Sequence, residues 1–133
     1  MKKLTLLFIL FIFISSCSED ELTYQGEILP INEVFVPSFF TANQVDTITV
    51  RYTRPNGCYE FPRAYYKHNG ISSRVVAVKI LKSLDISCSE PSQEMELKIP
   101  VLALRVDYYY FSFWMGEDEN GNELFQDFSI PVN

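Results

Sequence analysis

The sequence predicts an all-β domain of about seven short strands, and three observations support this. Apolar and polar residues alternate with a period of two through most of the chain after residue 30, as they do in strands with one buried face. Turn-forming residues separate these segments at intervals of roughly 8–15 residues. Aromatic residues, among them eight Tyr and eleven Phe, make up 15% of the 133 residues, which suits a pleated core.

Each predicted strand is bounded by a turn, a loop or a proline. Pro37 interrupts the first strand and Pro62 the third, so both strands are expected to contain an edge, a bulge or a bend at that point. In chain order the predicted strands are 33–40, 46–54, 58–66, 74–82, 94–103, 107–114 and 124–132.

The second and fifth strands show the clearest alternation. Ile48, Val50 and Tyr52 fall on one face of strand 46–54, and its remaining residues are mostly Thr and Arg. Strand 94–103 likewise places Met, Leu, Ile and Val on one face, and charged residues alternate with Met, Leu and Ile on the other. Each of these strands is therefore expected to have a buried side and a solvated side.

Seven strands in about 100 residues resemble an immunoglobulin-like or fibronectin-type-III-like sandwich. Tyr109, near the start of the sixth strand, resembles the tyrosine corner of that fold. The antibody-type pattern is not met, because Cys58 follows a turn, Cys88 lies in a loop and Trp114 is in the sixth strand. A lipocalin-like barrel is the alternative, although such barrels usually have eight or more strands and a longer chain.

The N-terminus predicts a signal peptide over residues 1–16. Two lysines precede the apolar stretch 4–14, which as a helix would rise about 16 Å, roughly half of the hydrocarbon core of a bilayer. The next residues, Ile14-Ser15-Ser16-Cys17, resemble the lipobox of bacterial lipoproteins. This resemblance implies cleavage before Cys17 and acylation of its thiol, and two or more acyl chains hold a protein stably on a membrane.

Residues 17–30 are predicted to be an acidic flexible tether, followed by a sandwich domain of residues 31–133. Ser18 does not suggest retention at the inner membrane, and residues 19–21 are all acidic. An acidic run directly after the acylated cysteine resembles the surface-export tag of Bacteroidota lipoproteins, and a plain solvated tether is the alternative. The expected location is therefore the outer membrane, lipid-anchored, on the cell surface or the periplasmic face.

Cysteine parity predicts one disulfide. If Cys17 is acylated, Cys58 and Cys88 remain, and two thiols in an oxidising compartment are expected to pair. The loop closed in this way is worth roughly 3.5–4 kcal/mol in the chain-entropy model. The alternative, Cys58 as a nucleophile, has little support, because His68 is the only histidine available as a base.

Charge is unevenly distributed. The net charge of −6, which becomes −8 when Lys2 and Lys3 are removed with the signal peptide, argues against a nucleic-acid partner. Basic residues are concentrated in 51–82, and acidic residues dominate on both sides of that segment. These blocks are expected either to pair across neighbouring strands or to form a basic face for an anionic polysaccharide or protein.

The sixth strand is aromatic on both faces, whereas a strand with one wet face normally is not. Either Arg and Lys stems and loops cover the second face, or that face is an exposed platform that stacks on sugar rings or anchors a protein. The candidate binding face comprises Tyr65, Tyr66, Tyr108, Tyr110, Trp114 and Arg63.

The sequence contains no motif of a known enzyme class, and we expect no catalytic residue, cofactor or metal. Segment 118–123 has alternating oxygen ligands but lacks the Gly and Glu positions of an EF-hand, so a hairpin tip is expected there. The predicted function is that of a monomeric, non-catalytic binding or interaction domain. A small inhibitor of an exported hydrolase, using the segment 55–62 braced by Cys58, is the first alternative, and an enzyme is the second.

Overall fold

A computed structural model describes residues 21–104 and 107–133. The predicted signal peptide, Cys17 and the residues just after it lie outside these ranges. The described residues form an all-β fold of eight strands in two sheets, which confirms the predicted fold class. They include no helix with the length and apolar character needed to cross a lipid bilayer. The immunoglobulin-like subtype stays a prediction.

The eight strands follow one another along the chain with short connections. They are β1 (Tyr24–Leu29), β2 (Ile31–Phe35), β3 (Val45–Arg54), β4 (Tyr59–His68), β5 (Ser73–Ser83), β6 (Gln93–Leu102), β7 (Tyr108–Glu117) and β8 (Glu123–Pro131).

Strand β5 organises the larger, five-stranded sheet. On one side β5 pairs antiparallel with β4 along most of its length. On its other side it pairs first with β7, in parallel, over Ser73–Val76, and then with β1, antiparallel, over Val78–Ser83. Strand β8 completes this sheet beside β7. The smaller sheet has the order β2-β3-β6, and all its pairs are antiparallel.

The hydrophobic core lies between the two sheets and follows the predicted alternation. Ile48, Val50 and Tyr52 of β3 are at most 1% exposed, and Ile99 and Val101 of β6 face the same core. The larger sheet contributes alternate residues of β5 and β7, namely Val76, Val78, Ile80, Tyr109, Phe111 and Phe113. Burial of this apolar surface is the main stabilising contribution to the fold.

The predicted tether is wrong for residues 24–29, which form β1. Six residue pairs, from Tyr24↔Ser83 to Leu29↔Val78, join β1 to β5. Only Leu29 in this strand is buried, so the segment has no apolar alternation that would have identified it. Main-chain hydrogen bonds to β5 therefore hold β1, and the ordered domain begins before residue 31.

Other boundaries differ at prolines and glycines. Strand β2 ends at Phe35, before Pro37, and Phe40 makes only an isolated bridge to Val132. Pro62 lies in a register shift of β4, and among the described strands β4 pairs with β5 alone, so the expected bulge on an edge strand is confirmed. Strand β7 continues through Gly116, where the β7–β8 register shifts, and so extends beyond the predicted strand end at residue 114.

Candidate binding groove

The two faces of β7 have different environments. Tyr109, Phe111 and Phe113 point into the core, whereas the alternate residues point away from it. Tyr108 and Tyr110 on this outer face are 48% and 51% exposed, and their rings stack with centroids 6.4 Å apart. The outer face of β7 is therefore open to solvent at Tyr108 and Tyr110, and partly covered at Trp114.

A groove of about 520 Å³ crosses this outer face near its centre. The side chains that line it come from β1, β4, β5, β7 and β8. They are Ile28, Tyr65, Lys67, Val75, Ala77, Trp114, Glu123 and Phe125.

The groove lies where β5 exchanges one neighbour for another. The β7 pairing ends at Val76 and the β1 pairing starts at Val78, so Ala77 has no paired residue on that side. Ala77 is only 5% exposed, while Tyr65, directly opposite it on β4, is 43% exposed. A small side chain beside larger ones at a junction of strands leaves a depression in the sheet surface.

Trp114 and Phe125 form the wall of the groove on the β7–β8 side. They are directly opposite each other in the β7–β8 register. The indole N–H of Trp114 is shielded from solvent and has no acceptor among the described residues. A buried donor without a partner costs the folded state free energy, and Trp114 contributes its ring to the groove and not this N–H.

The opposite wall of the groove is basic. The registers place Arg63 of β4 opposite Lys79 of β5 and Lys67 opposite Val75, on the same face as Tyr65. Within the described ranges, no carboxylate lies within salt-bridge distance of Arg63, Lys67 or Lys79. Their positive charge is therefore available to an anionic ligand.

The wall on the β8 side has the opposite charge. Glu123 lines the groove, and Asp127 is opposite Ser112 on the same outer face. Carboxylates at this position can accept hydrogen bonds from hydroxyl groups. The groove therefore has a basic side and an acidic side with aromatic rings between them.

Two other basic residues are used in ion pairs between strands, as the structural interpretation of the charge blocks predicts. Arg51 of β3 lies 2.9 Å from Glu33 and 3.0 Å from Glu96, on the outer face of the smaller sheet. The hydrogen bond to Glu96 is the main reason that the pKa of Arg51 is raised. Lys82 of β5 lies 3.7 Å from Glu27 of β1.

Five of the six residues predicted for the binding face lie on the outer face of the larger sheet, and Tyr66 does not. Tyr65 and Trp114 line the groove, Arg63 flanks it, and Tyr108 and Tyr110 continue the surface along β7. The prediction is wrong for Tyr66, because adjacent residues of a strand point to opposite faces and Tyr65 is on the outer face.

Tyr66 instead lines a smaller cavity of about 190 Å³ between the sheets, with His68 and Arg74. Burial raises the pKa of the Tyr66 hydroxyl, and the nearby charge of Arg74 partly opposes this shift. Arg74 also lies over the ring of Tyr109, at 5.9 Å from its centroid. This cavity is part of the open end of the core and is separate from the groove.

Sequence reasoning missed several groove residues. Lys67 could have been predicted from the sequence, because it is two positions from Tyr65 and so points to the same face of the strand. Ile28, Val75, Ala77 and Phe125 come together only through the strand pairings, which no local pattern specifies.

The predicted disulfide is confirmed at the end of the domain where β4 begins. Cys58 and Cys88 are bonded, with Cα atoms 5.6 Å apart. The bridge ties the start of β4 to the loop between β5 and β6.

Comparison of the chain with protein-family models, with curated proteins and with solved structures finds no match.

Proposed function

We propose that the protein is a lipid-anchored envelope lipoprotein whose sandwich domain binds an anionic polysaccharide without catalysing a reaction. The observation that carries the proposal is the groove of about 520 Å³, which is lined by Tyr65, Lys67, Trp114 and Phe125. Arg63 and Lys79 lie beside Lys67 on the same face, and none of these three basic residues has a salt-bridge partner among the described residues. The anchor is inferred from the lipobox-like residues that end at Cys17.

The chemistry of the groove suits a saccharide. Exposed aromatic rings offer flat apolar surfaces on which the C–H faces of sugars can stack. Lys67, with Arg63 and Lys79 beside it, would pair with the carboxylate or sulfate groups of an acidic sugar. Glu123 would accept hydrogen bonds from hydroxyl groups.

The position of the groove suits a polymer. The groove is open along the face of the sheet, and the stacked rings of Tyr108 and Tyr110 continue the aromatic surface along β7. A chain of several sugar rings could therefore contact the sheet at successive points, and each contact would add to the affinity.

Because Trp114 is the only tryptophan, its fluorescence reports directly on the groove. We expect acidic polysaccharides, such as polygalacturonate or dextran sulfate, to change this emission at low salt and neutral dextran to have little effect. Raising the salt concentration should weaken binding, because exposed charge pairs are screened.

Two matched variants locate the site. Phe125→Ala removes a groove residue, and Phe35→Ala removes a residue of the same 43% exposure from the outer face of the other sheet. Phe125→Ala should weaken binding about tenfold, since a stacked aromatic ring contributes on the order of 1–1.5 kcal/mol, and Phe35→Ala should leave it unchanged. Equal effects of both variants, or binding that does not depend on salt, would contradict the proposal.

A second candidate function, inhibition of an exported hydrolase, is favoured by one observation. Phe61 is 58% exposed and has a φ of 56°, in the left-handed region that a bulky residue seldom adopts. It lies in the bulge of β4 next to the disulfide, where a rigid loop could enter an active-site cleft. If the candidate is correct, the isolated domain inhibits an exported protease or glycosidase and Phe61→Ser abolishes that inhibition.

A further inference from the structure

The described chain enters the domain at the end that carries the disulfide. The amide of Leu84 donates to the carbonyl oxygen of Thr23 at 2.9 Å, and Tyr24 pairs with Ser83 in the β1–β5 register. Ser83 in turn donates its amide to the carbonyl oxygen of Cys58 at 2.9 Å. The start of β1, the end of β5 and the start of β4 therefore meet at one place.

This end of the domain exposes four large apolar side chains, which we call the apolar end: Leu22, Phe61, Leu84 and Ile86. Each is between 49% and 58% exposed. They lie at the same end of the domain. Leu22 and Leu84 adjoin the hydrogen bond between Leu84 and Thr23, Phe61 contacts the ring of Tyr24 at a centroid distance of 6.0 Å, and the sulfur of Cys58 lies 3.5 Å from the carbonyl oxygen of Ile86. Exposed apolar clusters of this kind are typical of surfaces that contact a partner or a membrane.

The distance along the chain to Cys17 limits which part of the domain can reach the lipid. Five residues lie between Cys17 and Thr23, and the six Cα-to-Cα steps span at most about 22 Å even when fully extended. Strand β5, from Ser83 at this end to Ser73 at the other, is about 33 Å long at 3.3 Å per residue. The opposite end of an upright domain is therefore out of reach of a bilayer to which Cys17 is attached.

We propose that the apolar end lies against the surface of the bilayer that holds the acyl chains of Cys17, an inference that rests on the acylation in the proposed function. The contact is apolar in character, because the acidic residues Glu60, Asp85 and Glu90 adjoin this end along the chain and would not attract an anionic surface. Lys82, the basic residue beside Ser83, is paired with Glu27 at 3.7 Å. The side chains of Phe61, Leu84 and Ile86 insert among the headgroups and prevent the anchored domain from tumbling on its tether.

This orientation leaves the groove accessible and covers the bulge of β4. Ala77 is six residues from Ser83 along β5, so the groove stands about 20 Å above the apolar end. Phe61, in contrast, faces the lipid. The anchored protein could then bind a polysaccharide but could not insert Phe61 into the active site of a hydrolase.

Quenching by brominated phosphatidylcholine tests the orientation on the acylated full chain in vesicles. Trp114→Phe combined with Phe61→Trp places the only indole at the apolar end. Trp114→Phe combined with Phe39→Trp places it at another aromatic position, 46% exposed, two residues beyond Pro37. We expect the Phe61→Trp protein to be quenched at least threefold more than the Phe39→Trp protein, and the native Trp114 to remain unquenched. Equal quenching of the two proteins overturns the inference.

Two leucine-to-serine variants distinguish an apolar contact with the bilayer from tethering by the acyl chains alone. In the Phe61→Trp background, Leu84→Ser should lower the occupancy of the quenched state about three- to tenfold, since it removes a half-exposed apolar side chain from the contact. Leu102→Ser, a substitution of similar exposure on β6, should have no effect. No difference between the two serine variants also overturns the inference.

Mass spectrometry of the same preparation separates the two proposals. An acylated Cys17 with an unquenched indole at position 61 refutes the orientation and leaves the anchor intact. An unmodified Cys17 refutes the proposed lipid anchor, and it also refutes the proposed orientation because that rests on the anchor. A circular-dichroism melt of each variant excludes loss of folding as the cause of a negative result.

Discussion

Breaking the bond between Cys58 and Cys88 should lower the free energy of unfolding by about 3.7 kcal/mol. The bridge joins residues that are 30 positions apart, and the chain-entropy model assigns a loop of this size about 3.7 kcal/mol at 25 °C. With an unfolding entropy near 2.1 cal/mol/K per residue over about 110 residues, this loss corresponds to a fall in Tm of about 15 °C.

The structure indicates that the effect acts mainly on the unfolded chain. Strand β4 is held to β5 by eight residue pairs that do not depend on the disulfide, and Ser83 still donates its amide to Cys58. The native sheet is therefore expected to survive reduction, while the reduced unfolded chain gains conformational freedom. The far-ultraviolet spectrum at 25 °C should be unchanged.

The assay is thermal unfolding of the mature domain followed by circular dichroism, with and without reductant. Cys58→Ser/Cys88→Ser should melt at the temperature of the reduced wild type and should not respond to reductant. Ser87→Ala/Ser89→Ala, which changes exposed residues in the same loop, is the matched control and should melt like the oxidised wild type. A fall of less than about 4 °C on reduction, corresponding to about 1 kcal/mol, would refute the reasoning.

Three further predictions concern packing, backbone conformation and pH. Ile48→Ala removes a fully buried side chain and should cost about 2–5 kcal/mol in urea unfolding; a cost below about 1 kcal/mol would contradict its place in the core. Gly116→Ala should destabilise more than Gly121→Ala, because both glycines have positive φ but only at Gly116 would the new Cβ lie 3.3 Å from a neighbouring side chain; equal costs would show that this contact does not matter. Burial raises the pKa of Tyr52 and Tyr66, so both should ionise late in an ultraviolet titration. Because the unfolded chain loses these protons first, stability should fall as the pH rises above about 10, and Tyr52→Phe should reduce that fall.

The local alternation of apolar and polar residues was sufficient to predict a strand where one face is buried and the other is exposed to solvent. Strand β3 begins one residue before its predicted start and ends where predicted. Strand β6 begins and ends one residue before its predicted limits. Pro62 indicated an edge and a bulge because proline has no amide hydrogen to donate to a ladder. The disulfide followed from counting thiols in a chain predicted to be exported, without knowledge of any contact.

Prediction failed where a strand depends on its neighbour. In β1 only Leu29 is buried, and the strand exists because β5 offers it hydrogen-bonding partners over Val78–Ser83. The assignment of Tyr66 to the binding face was an error that alternation within β4 would have corrected once Tyr65 was placed.

By itself, therefore, the sequence determined that the chain is built of strands, which faces of β3 and β6 are apolar, and that Cys58 has a partner in Cys88. Only the tertiary structure decided that β5 pairs with β7 over one half and with β1 over the other, which leaves the depression at Ala77. The difference has a physical cause: alternation is a property of consecutive residues, whereas the choice of neighbouring strands depends on contacts between residues far apart in the chain.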